Sequence, residues 1–261
     1  MSASTVLYTV HEGIAKITLN MPEMRNPFTK QMVKELIAGL ETADKDDSVK
    51  AIIITGNGSA FSAGGNLNEF KENFSKSVPE LYWEGRESTR LFELGATLRT
   101  PLIASVNGPA FGGGCGLVAM CHLAIASEQA KFGTTELRLG LVSFVILPWI
   151  RRAVGERKAM EMMLTADILP AEKALEMGLI HRLTTAERLE ADTWQLAKTV
   201  AAYSPLAVKL GIEGFRSTEQ TDLLTSFAHL NTLRLVSFKS ADLKEGASAF
   251  LEKREPVWQG K

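Results

Sequence analysis

The 261-residue chain has little cysteine, no long hydrophobic run and almost no excess charge. Cys115 and Cys121 are separated by five residues, which excludes a disulfide framework and, without matching histidines, disfavours a zinc site. The longest apolar stretches, 118–126 and 139–150, are shorter than the ~20 residues a membrane span requires. Lys and Arg number 29 against 30 Asp and Glu, so the charge balance favours neither nucleic acid nor an anionic membrane as partner.

The sequence also has no visible targeting segment. Its first 13 residues lack a charged region followed by an apolar run, so no secretory signal is predicted. With 45% hydrophobic and 23% charged residues, the composition is that of an ordinary globular protein. We therefore expect a soluble cytoplasmic protein of one large or two small domains, with no metal ion.

Strand and helix patterns alternate through the first part of the chain. Apolar, β-rich runs at 6–10, 14–19, 51–55 and 102–106 predict strands, and the period over 28–43 predicts a helix capped by Thr29. After about residue 185 only helical periods follow, at 189–202, 206–215, 221–237 and 241–250. This predicts an α/β core over 1–185 and a helical region over 186–261. The polar stretch 71–83 is predicted to be mobile.

Two glycine-rich turns each join a strand to a helix, at 60–67 and 107–116. Glycine lets the backbone approach a ligand and can leave N–H groups free at a helix start, where two of them would form an oxyanion hole. The alternative is that both are simply tight turns. The triplet Gly112-Gly113-Gly114 does not keep the G-x-G-x-x-G spacing, and no G-x-x-x-x-G-K-S/T is present, so both nucleotide-binding readings are weak.

Three segments in order carry a resemblance: Ala-Phe-Ser-Ala-Gly-Gly-Asn-Leu (60–67), Asn-Gly-Pro-Ala-Phe-Gly-Gly-Gly-Cys (107–115) and Lys-Phe-Gly-Thr-Thr-Glu-Leu-Arg-Leu-Gly-Leu (131–141). Together they resemble the enoyl-CoA hydratase/isomerase (crotonase) family, and the similarity continues through 152–155, 171–180 and 250–254. The resemblance implies a spiral of ββα units with a C-terminal helical trimerisation region. It further implies an acyl-CoA thioester substrate, no separate cofactor because coenzyme A is part of the substrate, and a homotrimer or dimer of trimers.

The resemblance also implies the catalytic groups. The oxyanion hole is assigned to the backbone N–H groups of Ala63 and Gly113, and the acid/base residue to Glu136. Hydratases of the family typically have a second glutamate where this chain has Gly116. Its absence either leaves one glutamate to move a proton between carbons, or opens space for a larger acyl group while Glu136 still supports water addition.

Further positions are implied to bind the substrate. Arg25 lies where the family usually has a basic residue near the nucleotide, while Phe250 and Lys253 match positions that reach the coenzyme A of a neighbouring subunit. Each has the alternative of an ordinary surface or core residue. The substrate-binding residues predicted in full are Arg25, Gly64, Gly65, Asn66, Leu67, Gly116, Phe144, Phe250 and Lys253.

Other departures from the family pattern concern 142–149 and His122. The bulky stretch 142–149 replaces a glycine-rich run, which together with Gly116 is similar to methylglutaconyl-CoA hydratase-like members. His122 stands where the family often has Asp and is expected to be structural, as Cys115 is expected to serve packing.

The leading functional hypothesis is an enoyl-CoA hydratase acting on a branched, carboxylated or aromatic acyl group. The alternatives are a Δ3-Δ2-enoyl-CoA isomerase that uses Glu136 alone, a catalytically weak acyl-CoA-binding protein, and another enolate chemistry such as condensation or decarboxylation.

Overall fold

The computed structural model describes residues 4–261, which form eleven strands and eleven α-helices. The strands are β1 (Val6–His11), β2 (Ile14–Leu19), β3 (Pro27–Phe28), β4 (Ala51–Gly56), β5 (Gly64–Gly65), β6 (Leu102–Val106), β7 (Ala110–Phe111), β8 (Leu123–Ser127), β9 (Lys131–Gly133), β10 (Leu169–Pro170) and β11 (Arg182–Thr184). The helices are α1 (Lys30–Lys45), α2 (Leu67–Glu72), α3 (Val78–Leu94), α4 (Gly113–Met120), α5 (Leu147–Val154), α6 (Glu156–Thr165), α7 (Ala171–Glu176), α8 (Leu189–Ala201), α9 (Pro205–Ser217), α10 (Leu223–Phe238) and α11 (Ala241–Glu252).

Six strands form the main sheet in the order β1-β2-β4-β6-β8-β11. The hairpin partners β1 and β2 are antiparallel, and every other neighbouring pair is parallel. Strands β4 and β6 are apolar almost throughout because both faces of a parallel sheet are covered. The predicted hairpin and the predicted strands at 51–55 and 102–106 are confirmed.

Short strands alternate with the long ones along the chain. After β2, β4, β6 and β8 the chain forms the short strands β3, β5, β7 and β9, and a helical segment follows each. The short strands pair in two small sheets, β3-β5 and β10-β9-β7, which an isolated bridge between Ser62 and Ala110 brings together. This recurring long strand, short strand and helix is the predicted spiral of ββα units.

The two faces of the main sheet bury different sets of side chains. Ile52 and Ile54 of β4 face the larger core, which contains α1 and α4. Ile53 and Ile103 face the other way and pack against Leu196 of α8. Helix α8 therefore covers one face of the sheet, although it belongs to the all-helical part of the chain that begins after β11 ends at Thr184.

Two predicted helix boundaries can be compared with the structure. Thr29 does cap α1, since its hydroxyl accepts the Met32 N–H at 3.1 Å. The stretch 71–83, predicted to be mobile, contains the end of α2, a 3-10 turn at Asn73–Ser75 and the start of α3 at Val78. The Ser77 N–H and hydroxyl both donate to Glu80 Oε2, at 2.8 and 2.6 Å, which makes 77–80 a capping box.

The helical part of the chain exposes much apolar surface. On α10, the side chains of Leu223, Leu224 and Phe227 are each more than 60% exposed. No helix within residues 4–261 is long and apolar enough to cross a bilayer.

Candidate active site

A cavity of about 1210 Å³ opens where the short strands meet α1, α3 and the segment after β9. This volume exceeds what a small organic ligand usually occupies. Seven of the residues predicted to act in catalysis or binding line it: Ala63, Gly65, Asn66, Leu67, Gly113, Glu136 and Phe144. The structure thus brings the two glycine turns and the glutamate to one place.

Glu136 is a half-buried carboxylate that lines this cavity. It lies in a short 3-10 helix, Thr135–Leu139, directly after β9. The Ser143 hydroxyl, which is 5% exposed, donates to Glu136 Oε2 at 2.6 Å. This charge-assisted hydrogen bond holds the carboxylate in one orientation. It also leaves Glu136 Oε1 available to a ligand.

The start of α4 faces the same carboxylate. Gly112 caps the helix with φ +51°, and a Cβ at this position would lie 3.1 Å from Glu136 Oε1. The Gly112 N–H donates a hydrogen bond to Gly133 O at 2.9 Å. Gly113 is the first residue of the helix, where an N–H has no partner within the helix. Its N–H is therefore suited to bind a negative oxygen close to Glu136.

The other turn offers a different donor from the one predicted. The Ala63 N–H donates a hydrogen bond to Arg25 O at 2.8 Å, and the Gly64 N–H donates one to Ser62 Oγ at 3.1 Å. The assignment of Ala63 to the oxyanion hole is thereby corrected, because its N–H already has an acceptor. The next main-chain donor along the turn belongs to Gly65, which lines the cavity.

The two turns are in direct contact. Gly64 has φ +84°, and a Cβ there would lie 2.6 Å from Phe111 O and 3.2 Å from Gly113 N. Only glycine permits both this backbone conformation and this approach. Gly64 itself is buried and does not line the cavity, so its role is to bring the turns together.

Asn26 holds the turn 60–67 in place through buried hydrogen bonds. It is fully buried with φ +53°, and its side-chain amide donates to Asn57 O and Ala60 O, both at 2.9 Å. Its side-chain oxygen accepts the Met21 N–H at 2.8 Å, and its backbone oxygen accepts the Ser62 hydroxyl at 2.7 Å. One asparagine thus ties Met21 and Asn57 to the turn 60–67, which carries Gly65.

We expect Asn26→Ala to lower the free energy of unfolding by about 3 kcal/mol or more. Alanine removes the side-chain hydrogen bonds, leaves buried backbone groups unpaired and tolerates positive φ less well than asparagine does. Urea denaturation measures the change. The control is Asn68→Ala on the exposed face of α2, where a change within about 0.5 kcal/mol is expected. A decrease in the free energy of unfolding below about 1 kcal/mol for Asn26→Ala would contradict this stabilising role of Asn26.

The space predicted beside Gly116 is occupied. A Cβ on Gly116 would lie 2.2 Å from Ile146 Cγ2 and 2.4 Å from Ile146 Cβ. Gly116 is buried and does not line the cavity, whereas Ile146, 3% exposed, does. The prediction that Gly116 binds substrate through a gap is therefore corrected: an isoleucine side chain fills the place of a second carboxylate.

Three further predicted residues lie outside this cavity. Arg25 is exposed in the left-handed conformation with φ +60°. Phe250 is 84% exposed near the end of α11, and Lys253 is its exposed C-cap. Within one chain, these residues are not brought to Glu136. The cations that do line the cavity are Lys30, Lys34 and Arg138.

The other residues considered from the sequence have structural contacts. Cys115 is fully buried, and burial raises the pKa of its thiol to about 12, so it is not a thiolate nucleophile at neutral pH. His122 Nδ1 accepts the Leu102 N–H at 2.8 Å.

The sequence indicates the stretch 142–149 as part of the pocket wall but does not single out Ser143 or Ile146 within it, and it does not indicate Asn26. Ser143 and Ile146 follow Glu136 in an irregular segment, where no periodicity predicts which side chain turns inward. Asn26 lies between Arg25 and Pro27, and a positive φ is several-fold more common for Asn than for most residues, but no other signal marks it.

Comparison with known proteins agrees with this architecture. A family model described as enoyl-CoA hydratase/isomerase matches residues 9–261. Enoyl-CoA hydratase domain-containing protein 3 of Danio rerio, described as mitochondrial, is 34% identical over 257 residues, which cover 98% of this chain and 88% of that protein.

Two solved structures have the same fold. The enoyl-CoA hydratase of Mycobacterium smegmatis superposes with a TM-score of 0.92 at 30% identity, covering 97% of this chain and 98% of that one. Human enoyl-CoA hydratase domain-containing protein 3 gives a TM-score of 0.92 at 30% identity, covering 97% and 100%. The predicted crotonase fold is confirmed, and the chain belongs to the enoyl-CoA hydratase/isomerase family.

Proposed function

We propose that the chain isomerises the double bond of an unsaturated acyl-CoA thioester, with Glu136 as its single proton-transfer group. The observation that carries this proposal is the packing of Ile146 against Gly116, where a second carboxylate would have to stand. Moving a proton between two carbons needs one base that becomes the acid. Water addition by two carboxylates needs both.

The proposed reaction begins with the thioester oxygen between the N–H groups of Gly65 and Gly113. Glu136 removes a proton from Cα of a 3-enoyl thioester, and the electrons move onto the thioester oxygen as a dienolate. The two N–H groups stabilise that charge, a contribution of about 3 kcal/mol for each donor. Glu136 then returns its proton to C4, and the double bond ends between C2 and C3.

A second candidate is water addition with Glu136 as the sole base, as in the hydratase hypothesis. The observation that favours it is Ser143, whose hydroxyl donates a hydrogen bond to Glu136 and whose oxygen keeps two lone pairs as acceptors. That oxygen can accept a hydrogen bond from a water molecule beside the carboxylate. The names of the relatives point the same way.

Product analysis in ¹⁸O-labelled water separates the two reactions. From a 3-enoyl-CoA substrate we expect 2-enoyl-CoA without ¹⁸O as the main product, identified by mass spectrometry. A 3-hydroxyacyl-CoA containing ¹⁸O as the main product would favour the second candidate. If no enoyl-CoA thioester is converted at all, the proposed function is wrong.

The proposal extends to coenzyme A and to assembly. Lys30 and Lys34 pair with Glu84 and Glu87 at 2.9 and 3.8 Å, and these two lysines of the cavity wall are the cations proposed to bind phosphate. The exposed apolar surface of α10 supports self-association as a trimer or a dimer of trimers. In such an assembly Phe250 and Lys253 would serve a neighbouring site. The cytoplasmic location and the branched, carboxylated or aromatic acyl group stay predictions.

A further inference from the structure

A second cavity, of about 540 Å³, lies between the end of α4, α5 and α9. It shares no lining residue with the cavity that contains Glu136. Its walls are largely apolar, with Met120, Trp149, Leu179 and Phe215 among them. Nothing in the proposed reaction uses this cavity.

The polar groups on its wall include two histidines, His122 and His181, whose Nδ1 atoms each accept a backbone N–H. Leu102 N–H donates to His122 Nδ1 at 2.8 Å, and Ala124 N–H donates to His181 Nδ1 at 3.1 Å. A neutral imidazole carries one proton, so in each ring that proton is on Nε2. Burial, with Arg216 and Arg152 nearby, lowers the pKa of His122 to about 4, which keeps it neutral at pH 7.

His122 Nε2 faces another donor. The Arg216 guanidinium nitrogen Nη2 lies 2.5 Å from it, while Nη1 of the same group donates to Leu98 O. With its ring proton on Nε2, His122 cannot accept the Arg216 N–H, so neither of these two half-buried donors finds an acceptor in the other. An anion placed against both would supply that acceptor.

Arg152 is a second guanidinium on the cavity wall. It adds positive charge, and it offers no acceptor for the N–H groups of His122 and Arg216. Arg152 also lines the cavity, lies over the Trp149 ring at 5.5 Å and is paired with Glu219 at 3.0 Å. Asp44, the other carboxylate close enough to affect His122, accepts the backbone N–H groups of Arg99 and Thr100. None of the cavity-lining residues in the part of the chain described is acidic.

We propose that this cavity binds an organic anion. Its carboxylate, or another oxyanion, accepts hydrogen bonds from His122 Nε2 and the Arg216 guanidinium, with Arg152 adding charge, while an apolar body lies against Met120, Leu179 and Phe215. The volume is too large for an inorganic ion alone and fits a small organic ligand. An aromatic or short aliphatic carboxylate has this chemistry.

Benzoate, acetate and inorganic phosphate serve as probes, each compared with sodium chloride at equal ionic strength and pH 7.5. We expect benzoate to raise the Tm of the full chain by roughly 2–4 °C at about five times its Kd, and acetate to have a smaller effect. Stabilisation by phosphate equal to that by benzoate would contradict the organic ligand, because the apolar body would then contribute nothing. No shift with any probe would overturn the proposal.

Substitutions at His122 and Arg152 test whether benzoate binds in this cavity. His122→Asp supplies a built-in carboxylate that accepts from both Leu102 N–H and Arg216, so its Tm should no longer respond to benzoate. Arg152→Gln should weaken the benzoate response several-fold, and Arg152→Lys, which keeps the charge, should retain most of it. If His122→Asp fails to fold, the two Arg152 variants decide. A benzoate response unchanged from the wild type in Arg152→Gln would place the anion elsewhere and overturn the proposal.

Discussion

Replacing Glu136 with Gln is expected to lower kcat on an enoyl-CoA substrate by at least about 100-fold. Glutamine keeps the size of the side chain and can still accept from Ser143, but it cannot take a proton from Cα. Glu136 is the carboxylate that the structure places beside both Gly112 and the start of α4. Because the amide still fits the cavity, KM should change far less than kcat.

Glu87→Gln is the matched control for this substitution. Glu87 lines the same cavity, but its carboxylate is half-exposed and lies 3.8 Å from Lys34. The same chemical change there should leave kcat close to the wild-type value. Steady-state kinetics give kcat for both variants. A kcat of Glu136→Gln equal to that of the wild type would contradict the role of Glu136 in both candidate reactions.

Ser143→Ala tests how far catalysis depends on the orientation of that carboxylate. The variant removes the 2.6 Å hydrogen bond but keeps Glu136 itself. We expect kcat to fall about tenfold, which corresponds to the loss of about 1.4 kcal/mol. Ser143→Thr, which retains the hydroxyl, should recover part of the activity. Equal losses in both variants would indicate a packing effect instead.

Much of the fold could be predicted from the sequence because its elements are encoded locally. The hairpin of β1 and β2, the apolar strands β4 and β6, and the Thr29 cap of α1 each depend on a few neighbouring residues. The start of α3 was encoded just as locally by Ser77 and Glu80, and the polar composition around them hid it. The later helices had clear periodicity and were found.

The site could be predicted only where a motif contains the whole contact. Gly113 and Glu136 belong to recognisable segments and do meet in the cavity. Ala63 could not be judged from the sequence, because its acceptor, Arg25 O, lies on a separate loop. The neighbour of Gly116 was equally hidden, since Ile146 comes 30 residues later and reaches it through the packing of α5 on α4.

The pairing of Gly116 with Ile146 predicts how the reaction could be redirected. Position 116 lies one helical turn after Gly112, whose Cβ position is 3.1 Å from Glu136 Oε1, and Gly116 N–H bonds to Gly112 O at 3.0 Å. A carboxylate on residue 116 would therefore project beside Glu136. Ile146 must then be replaced by glycine, because even its Cβ lies 2.4 Å from the position that a Cβ of residue 116 would occupy.

We expect the double variant Gly116→Glu, Ile146→Gly to add water to a 2-enoyl-CoA at least about tenfold faster than the wild type, since a second carboxylate can hold and deprotonate the water. The measurement is the rate of ¹⁸O incorporation into 3-hydroxyacyl-CoA. The same pair with Gln at 116 has the same shape without the charge and should remain slow.

The single variants show why both changes are needed. Gly116→Glu alone must displace a buried isoleucine and should lower stability by about 1–3 kcal/mol or more. Ile146→Gly alone opens the space without supplying a base. If the Gln pair adds water as fast as the Glu pair, admission of water would be the limiting factor and the single-carboxylate explanation would fail. If only the Glu pair gains hydration, Ile146 is the residue that keeps this site to proton transfer between carbons.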